Sequence, residues 1–259
     1  MRGSGLARWA AAFCTAIAGA LPLAVHAQDM AAHMAAGQAF DALRAAHPER
    51  MPRLAEPEAA EALRTLADSS SFLPAQSGVD LPTLSDACDR AQAAAVAYQT
   101  FGALQNGQLV ASVVVDNAAA YQDELALLQP FVARCIARQV PLAEAMLRQM
   151  DPRTVAQLRL GGLRRGQATI LQLYASLATA LPDARIRPAT IDLLLDALAE
   201  TAPVHVRALA VAARAVPRDL AGAQVRERGP KEPKWERIAT AMANTRCEAL
   251  CELAARNGR

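Results

Sequence analysis

Residues 83–139, TLSDACDRAQAAAVAYQTFGALQNGQLVASVVVDNAAAYQDELALLQPFVARCIARQ, carry two stripes of apolar or small side chains at helical spacing. Leu84, Cys88, Ala91, Ala95, Tyr98 and Gly102 recur at alternating steps of four and three, which places them on one face of a helix. Tyr121, Leu125, Leu128, Val132 and Cys135 repeat the rhythm, with Gln139 next in line. Folded back antiparallel with Cys88 level with Cys135, the stripes match Ala91 with Val132, Ala95 with Leu128, Tyr98 with Leu125 and Gly102 with Tyr121. Every partner already lies on a stripe. The register predicts an antiparallel helical hairpin over about 83–139, closed by a Cys88–Cys135 disulfide, as the core on which the other helices pack.

Composition extends the helical reading to the whole chain. Hydrophobic residues make up 53% of the 259 positions but aromatics only 4%, so the apolar fraction rests on Ala, Leu and Val. Ala and Leu favour helices, and the β-branched, aromatic runs that mark sheets are nearly absent. The expected fold is all-α: a compact multi-helix bundle built on the hairpin, with short orthogonal helices after it. Within the hairpin, Asn106-Gly107 signals a turn, and Val110, Val113, Val114 and Val115 read as buried loop or first turns of the second helix. Pro130 is expected to kink or split that helix.

The first 27 residues have the parts of a secretory signal: Arg2 and Arg8, an apolar run from Trp9 to about Val25, and the small-residue site Val25-His26-Ala27. Residues 28–82 read as an N-terminal helical arm and linker, with helices at Met30–Ala46 and Pro57–Ala67 and a loop over Asp68–Pro82. Residues 83–259 form the main helical domain, which Thr83 and Asp86 open as a capping pair. No other segment is long and apolar enough to span a membrane. Removal of the leader takes the 27 basic residues to 25, equal to the 25 acidic ones. A neutral chain argues against nucleic acid as a partner.

Export bears on the cysteines, because a periplasmic or extracellular location is oxidising. Cys14 lies inside the leader, leaving Cys88, Cys135, Cys247 and Cys251, which permit three connectivities. Cys247 and Cys251 are four apart on an expected last helix from Lys234 to Arg256, whose Trp235, Ile238, Met242, Ala249 and Leu253 form a docking face. They could close a strained bridge within that helix, cross-link to Cys88 and Cys135, or form a redox-active or metal-binding pair.

Beyond the hairpin, helices are expected at Pro141–Gln149, Thr154–Leu160, Leu163–Leu181, Pro188–Ala199 and Pro203–Val216, the last two resembling one α-solenoid pair. Asp219–Pro233 reads as an exposed loop whose Arg226, Arg228 and Lys231 are balanced by Glu227 and Glu232. His33, His47 and His205 fall in no ligand spacing and read as surface or capping residues. Gly161-Gly162 before Arg164, Arg165 and Gly166 lacks the preceding strand of a phosphate cradle and reads as a helix break. Glu124, Glu144, Asp192 and Asp196 lie on ordinary amphipathic helices, although Asp192 and Asp196 are one turn apart and could pair as acid and base. No catalytic residue, cofactor site or metal site is assigned. The expected role is a non-catalytic binding or scaffold protein of the bacterial cell envelope, with another envelope protein as its partner. A carrier of an apolar small molecule or lipid, and a hydrolase whose carboxylates converge only in the fold, are the alternatives.

Overall fold

The hairpin arms form at Leu81–Thr100 and Gln122–Gln149, the fourth and sixth helices of a computed structural model that describes residues 21–74, 78–151, 153–154, 161–228 and 232–257. In chain order the helices are α1 (Leu21–Ala46), α2 (Pro57–Leu66), α3 (Ser69–Phe72), α4 (Leu81–Thr100), α5 (Ala111–Ala120), α6 (Gln122–Gln149), α7 (Gly161–Ala180), α8 (Pro188–Ala208), α9 (Ala215–Arg228), α10 (Pro233–Ala243) and α11 (Ala249–Asn257). The fold is an all-α helical bundle. α6 is its central rod, packed on α4 and α8; α10 joins α9 to α8, and α1 lies on α2 and α4.

The cap of α4 is Asp80, three residues before the expected Thr83. The side chain of Asp80 accepts a hydrogen bond from the Thr83 N–H at 2.8 Å, and Pro82 occupies the first turn, where its missing N–H is not needed. The helix stops at Thr100 because Gly102 adopts the left-handed conformation at φ 65°, so Gly102 lies past the end of the stripe it was read into. Leu84, Cys88, Ala91, Ala95, Tyr98, Leu125, Leu128, Val132 and Cys135 are all buried in one core. Cys88 is bonded to Cys135, with Cα atoms 5.7 Å apart, and at the other end the rings of Tyr98 and Tyr121 stand 5.3 Å apart. The bridge places Cys88 level with Cys135 as expected, whereas Tyr98 meets Tyr121, the residue expected opposite Gly102.

The connection between the arms is more structured than expected. Asn106 and Gly107 both take positive φ, 50° and 77°, the conformation of a primed hairpin turn. They pair Leu104 with Leu109 and Gln105 with Gln108 in a two-residue antiparallel ribbon, β1 (Leu104–Gln105) and β2 (Gln108–Leu109). The valines 113–115 then belong to the separate helix α5, half-buried rather than in a loop.

Prolines break the chain less than their chemistry predicts. α6 runs through Pro130 and Pro141, and α8 through Pro203, so the expected split at Pro130, the separate Pro141–Gln149 helix and the Pro188–Ala199/Pro203–Val216 solenoid pair do not occur. An internal proline costs about 3 kcal/mol in an isolated helix. Here Gln129, Pro130, Phe131 and Val132 are all buried, and that packing offsets the lost backbone bond. Glycine is tolerated in the same way: Ala215–Arg228 is helical through Gly222, because Ala221 is buried and Leu220 and Val225 pack on the core. Most of the expected Asp219–Pro233 loop is therefore helical, and residues 229–231 lie outside the described residues.

The expected terminal helix is two, α10 and α11, separated at residues 244–248. No Gly or Pro marks that break. It is held by the buried Arg214, which donates to the carbonyls of Asn244 and Arg246, and by the Asn244 side chain, which accepts from the Arg246 N–H at 2.9 Å. Residues 1–20, most of the proposed leader, lie outside the described residues, as do 155–160 of the expected Thr154–Leu160 helix. No described helix is long and apolar enough to cross a membrane.

Residues before α4 share the core. Phe40, Met51 and Leu63 are buried with the hairpin residues, and the Tyr98 hydroxyl donates to the Pro52 carbonyl at 2.7 Å, with the Phe40 ring 5.7 Å from that of Tyr98. Tyr98→Phe leaves that carbonyl without its buried donor. Urea unfolding should show a loss of about 1–2 kcal/mol, and an unchanged midpoint would mean that water replaces the hydroxyl.

Candidate functional site

A cleft of about 240 Å³ opens beside the Cys88–Cys135 bridge, between α4, α6 and α7. Its walls are built by helical periodicity: Leu81 and Cys88 come from α4, Ile136, Val140, Ala143 and Leu147 from α6, and Leu163 and Ile170 from α7, with Leu250 of α11 behind them. Ser85, Asp89, Gln92, Gln139, Arg165 and Gln167 bring polar groups to the same cleft. Gln167 is spoken for, since its amide donates to the Ala208 carbonyl at 2.6 Å.

Gly162 and Gly166 leave the space. They lie one helical turn apart on the wall of the cleft, and a Cβ built on either would meet nothing within 4 Å. Gly161 and Gly162, expected to separate two helices, lie in the first turn of α7, which begins two residues before the expected Leu163. The four-residue glycine spacing, on a helix otherwise rich in Leu and Ile, marks a bare strip along one face. Gly166→Ala should raise stability by about 0.5–1 kcal/mol, because it removes the backbone freedom of a mid-helix glycine without a clash. A lower melting temperature for this variant would show that the strip is not open.

Glu124 and Glu144 do not converge with each other. Glu124 and Glu144 are both buried, yet 20 positions apart on α6, which at 1.5 Å per residue separates them by about 30 Å. Glu144 is gripped by Arg207, whose Nε donates to Oε1 at 3.0 Å and whose Nη2 donates to Oε2. Glu124 Oε1 accepts from the Leu54 N–H at 2.8 Å with Arg53 Nε at 3.5 Å, and the Arg53 guanidinium stacks 4.8 Å from the Tyr121 ring centre. Both carboxylates tie elements together. Asp192 and Asp196 are exposed, and Asp196 pairs with Lys234 at 2.5 Å instead of acting with Asp192.

Two of the histidines read as surface or capping residues are buried. His33 lies between the carbonyls of Thr65 at 3.3 Å and Ala87 at 3.1 Å, linking α1 to α2 and α4, and burial holds its imidazole below the usual range. His205 Nε2 donates to the Ala133 carbonyl at 2.9 Å, with Nδ1 facing the Thr201 hydroxyl; full burial pushes its pKa down to about 4. They satisfy themselves on backbone, as buried polar groups must. His47 stays exposed. Among the described residues no three His, Cys, Asp or Glu side chains gather to hold a metal ion.

The second cysteine pair is closed within itself. Cys247 is bonded to Cys251, with Cα atoms 5.2 Å apart. Cys247 precedes α11 and Cys251 lies in its first turn, so the bridge is not between two helical residues, and the cross-links to Cys88 and Cys135 do not form. Tested against protein-family models, curated proteins and solved structures, the chain matches none of them.

Proposed function

We propose that this chain is an exported binding protein of the bacterial cell envelope whose cleft takes the apolar part of a small ligand. The observation that carries this reading is the cleft itself: a half-open space walled by Leu, Ile, Val and Ala, with polar groups beside them. An acyl chain or a compact apolar ring fits its chemistry. Support for export comes from the leader pattern of residues 1–27 and from two disulfides, which persist in oxidising compartments. The separation of Glu124 from Glu144 speaks for binding over hydrolysis.

The test is binding of the fluorescent probe ANS, with decanoate as competitor. Gly166→Phe fills the strip that Gly162 and Gly166 leave open, and should weaken both ligands roughly tenfold or more while the helical spectrum is retained. Equal binding by the folded variant would place the ligand elsewhere. A second reading, docking to another envelope protein, is favoured by the β1–β2 ribbon, where the facing Leu104 and Leu109 are 68% and 56% exposed. It displaces the first if Leu104→Ser with Leu109→Ser abolishes probe binding and Gly166→Phe does not.

A further inference from the structure

Arg214 is 2% exposed, and all five of its N–H groups are used. Nε and Nη2 donate to the Leu209 carbonyl at 3.1 and 2.9 Å, and Nη1 donates to the carbonyls of Asn244 and Arg246. The fifth, on Nη2, points at Cys251 Sγ at 3.2 Å. Among the described residues no carboxylate forms an ion pair with Arg214. A buried cation without a counter-ion is costly, and the one partner positioned to become an anion is the Cys251 sulfur. It becomes one only when its disulfide opens.

The two sulfurs are placed differently. Cys251 is fully buried in the first turn of α11, where the helix dipole adds to the guanidinium in favouring negative charge, whereas Cys247 is only half-buried, in the segment before the helix. Among the described residues no guanidinium hydrogen-bonds to the other bridge: Cys88 and Cys135 are both buried, and Cys135 Sγ lies 4.0 Å from the Leu84 carbonyl.

From this contrast we propose that Cys247–Cys251 is an exchangeable disulfide that oxidises dithiols, with Cys247 the sulfur attacked and Cys251 the leaving thiolate received by Arg214. A substrate thiolate attacks Cys247 Sγ, forming a mixed disulfide and breaking the Cys247–Cys251 bond, whose electron pair departs on Cys251. The substrate's second thiolate then attacks its own sulfur in that mixed disulfide, and Cys247 leaves and takes up a proton. The dithiol departs as a disulfide and the chain holds its two electrons as one thiol and one thiolate, with one proton released to solvent. A lower-pKa leaving thiol departs faster, and stabilising the reduced form makes a disulfide more oxidising.

The probe is glutathione. The oxidised full-length chain is equilibrated in buffers of stepped reduced-to-oxidised glutathione ratio, quenched with acid, tagged with maleimide and mapped by mass. The expected result is that Cys247–Cys251 opens in buffers on the order of 100-fold more oxidising than those that open Cys88–Cys135, with the glutathione adduct on Cys247. Both bridges opening together, or the adduct on Cys251, would overturn the proposal. Arg214→Gln should require a buffer roughly tenfold more reducing, with Arg214→Lys restoring part of the shift. Because Arg214 also holds backbone carbonyls, an independent readout keeps it intact: in Cys247→Ser, the ultraviolet thiolate absorbance of Cys251 should titrate at least one unit below the free-thiol value of about 8.5. Titration at or above that value sinks the proposal whatever Arg214→Gln does.

Discussion

Replacing Cys88 and Cys135 together by alanine lowers the free energy of unfolding by about 4 kcal/mol. The bridge joins residues 47 apart in sequence, so in the unfolded chain it removes the freedom of a long loop, and this constraint is its main contribution. The loss is a large share of the about 5–15 kcal/mol by which a domain is ordinarily stable. Both sulfurs lie in the core, so removing them leaves a small unfilled space as well. Urea unfolding checks this in two ways. The midpoint should fall, and the slope should rise because the uncrosslinked chain exposes more surface when it unfolds. Cys247 and Cys251 are only four apart, and replacing them should cost about half as much. Equal losses for the two pairs would mean that the hairpin closes without its bridge and that local packing, not loop closure, sets both values.

Acidification destabilises the fold through His205 by up to about 3 kcal/mol as pH falls from 6.5 towards 4. The imidazole is fully buried, so its folded pKa lies near 4, against an ordinary value of 6.5. A depressed folded pKa means that the unfolded chain takes up the proton first. The contribution is therefore complete above pH 6.5, declines below it, and is exhausted once the pH has dropped past the folded value of about 4. His33, whose pKa burial also lowers, acts in the same direction. Carboxylates titrate in part of this range too, and His205→Gln separates them: it keeps an N–H that can donate to the Ala133 carbonyl but takes up no proton. Stability measured by denaturant at neutral pH and near pH 4 should differ by about 3 kcal/mol less in this variant than in the natural chain. Parallel pH profiles would assign the acid sensitivity to other groups.

The hairpin register was legible because one-face periodicity is a local property. Cys88, Ala91, Ala95 and Tyr98 occupy one side of any helix that contains them, and a single pairing brings the second stripe against them. Helix ends were less legible. Thr83 with Asp86 reads as a capping pair, yet Asp80 caps α4, and that choice depends on where the chain enters the helix. The histidines were misplaced for a related reason: His33 and His205 find backbone carbonyls 54 and 72 positions away, which no local pattern displays. The cleft was not legible: Gly161-Gly162 reads on its own as a break between helices, and the opposite walls come from α4 and α6.

The sequence by itself determined that this chain is helical, which faces of the central helices are buried, and that Cys88 falls level with Cys135, because propensity and periodicity act within a few residues. Only the tertiary structure decided whether those helices continue or stop. Pro130, Pro141 and Pro203 stay inside helices because burial of their neighbours outweighs one missing hydrogen bond. The chain breaks at residues 244–248, with no glycine or proline there, because Arg214, from a distant turn, draws the carbonyls of Asn244 and Arg246 to itself. The same guanidinium reaches Cys251 and distinguishes the second disulfide from the first. A buried charge must find its partners wherever the fold brings them, and that is information the linear chain does not carry.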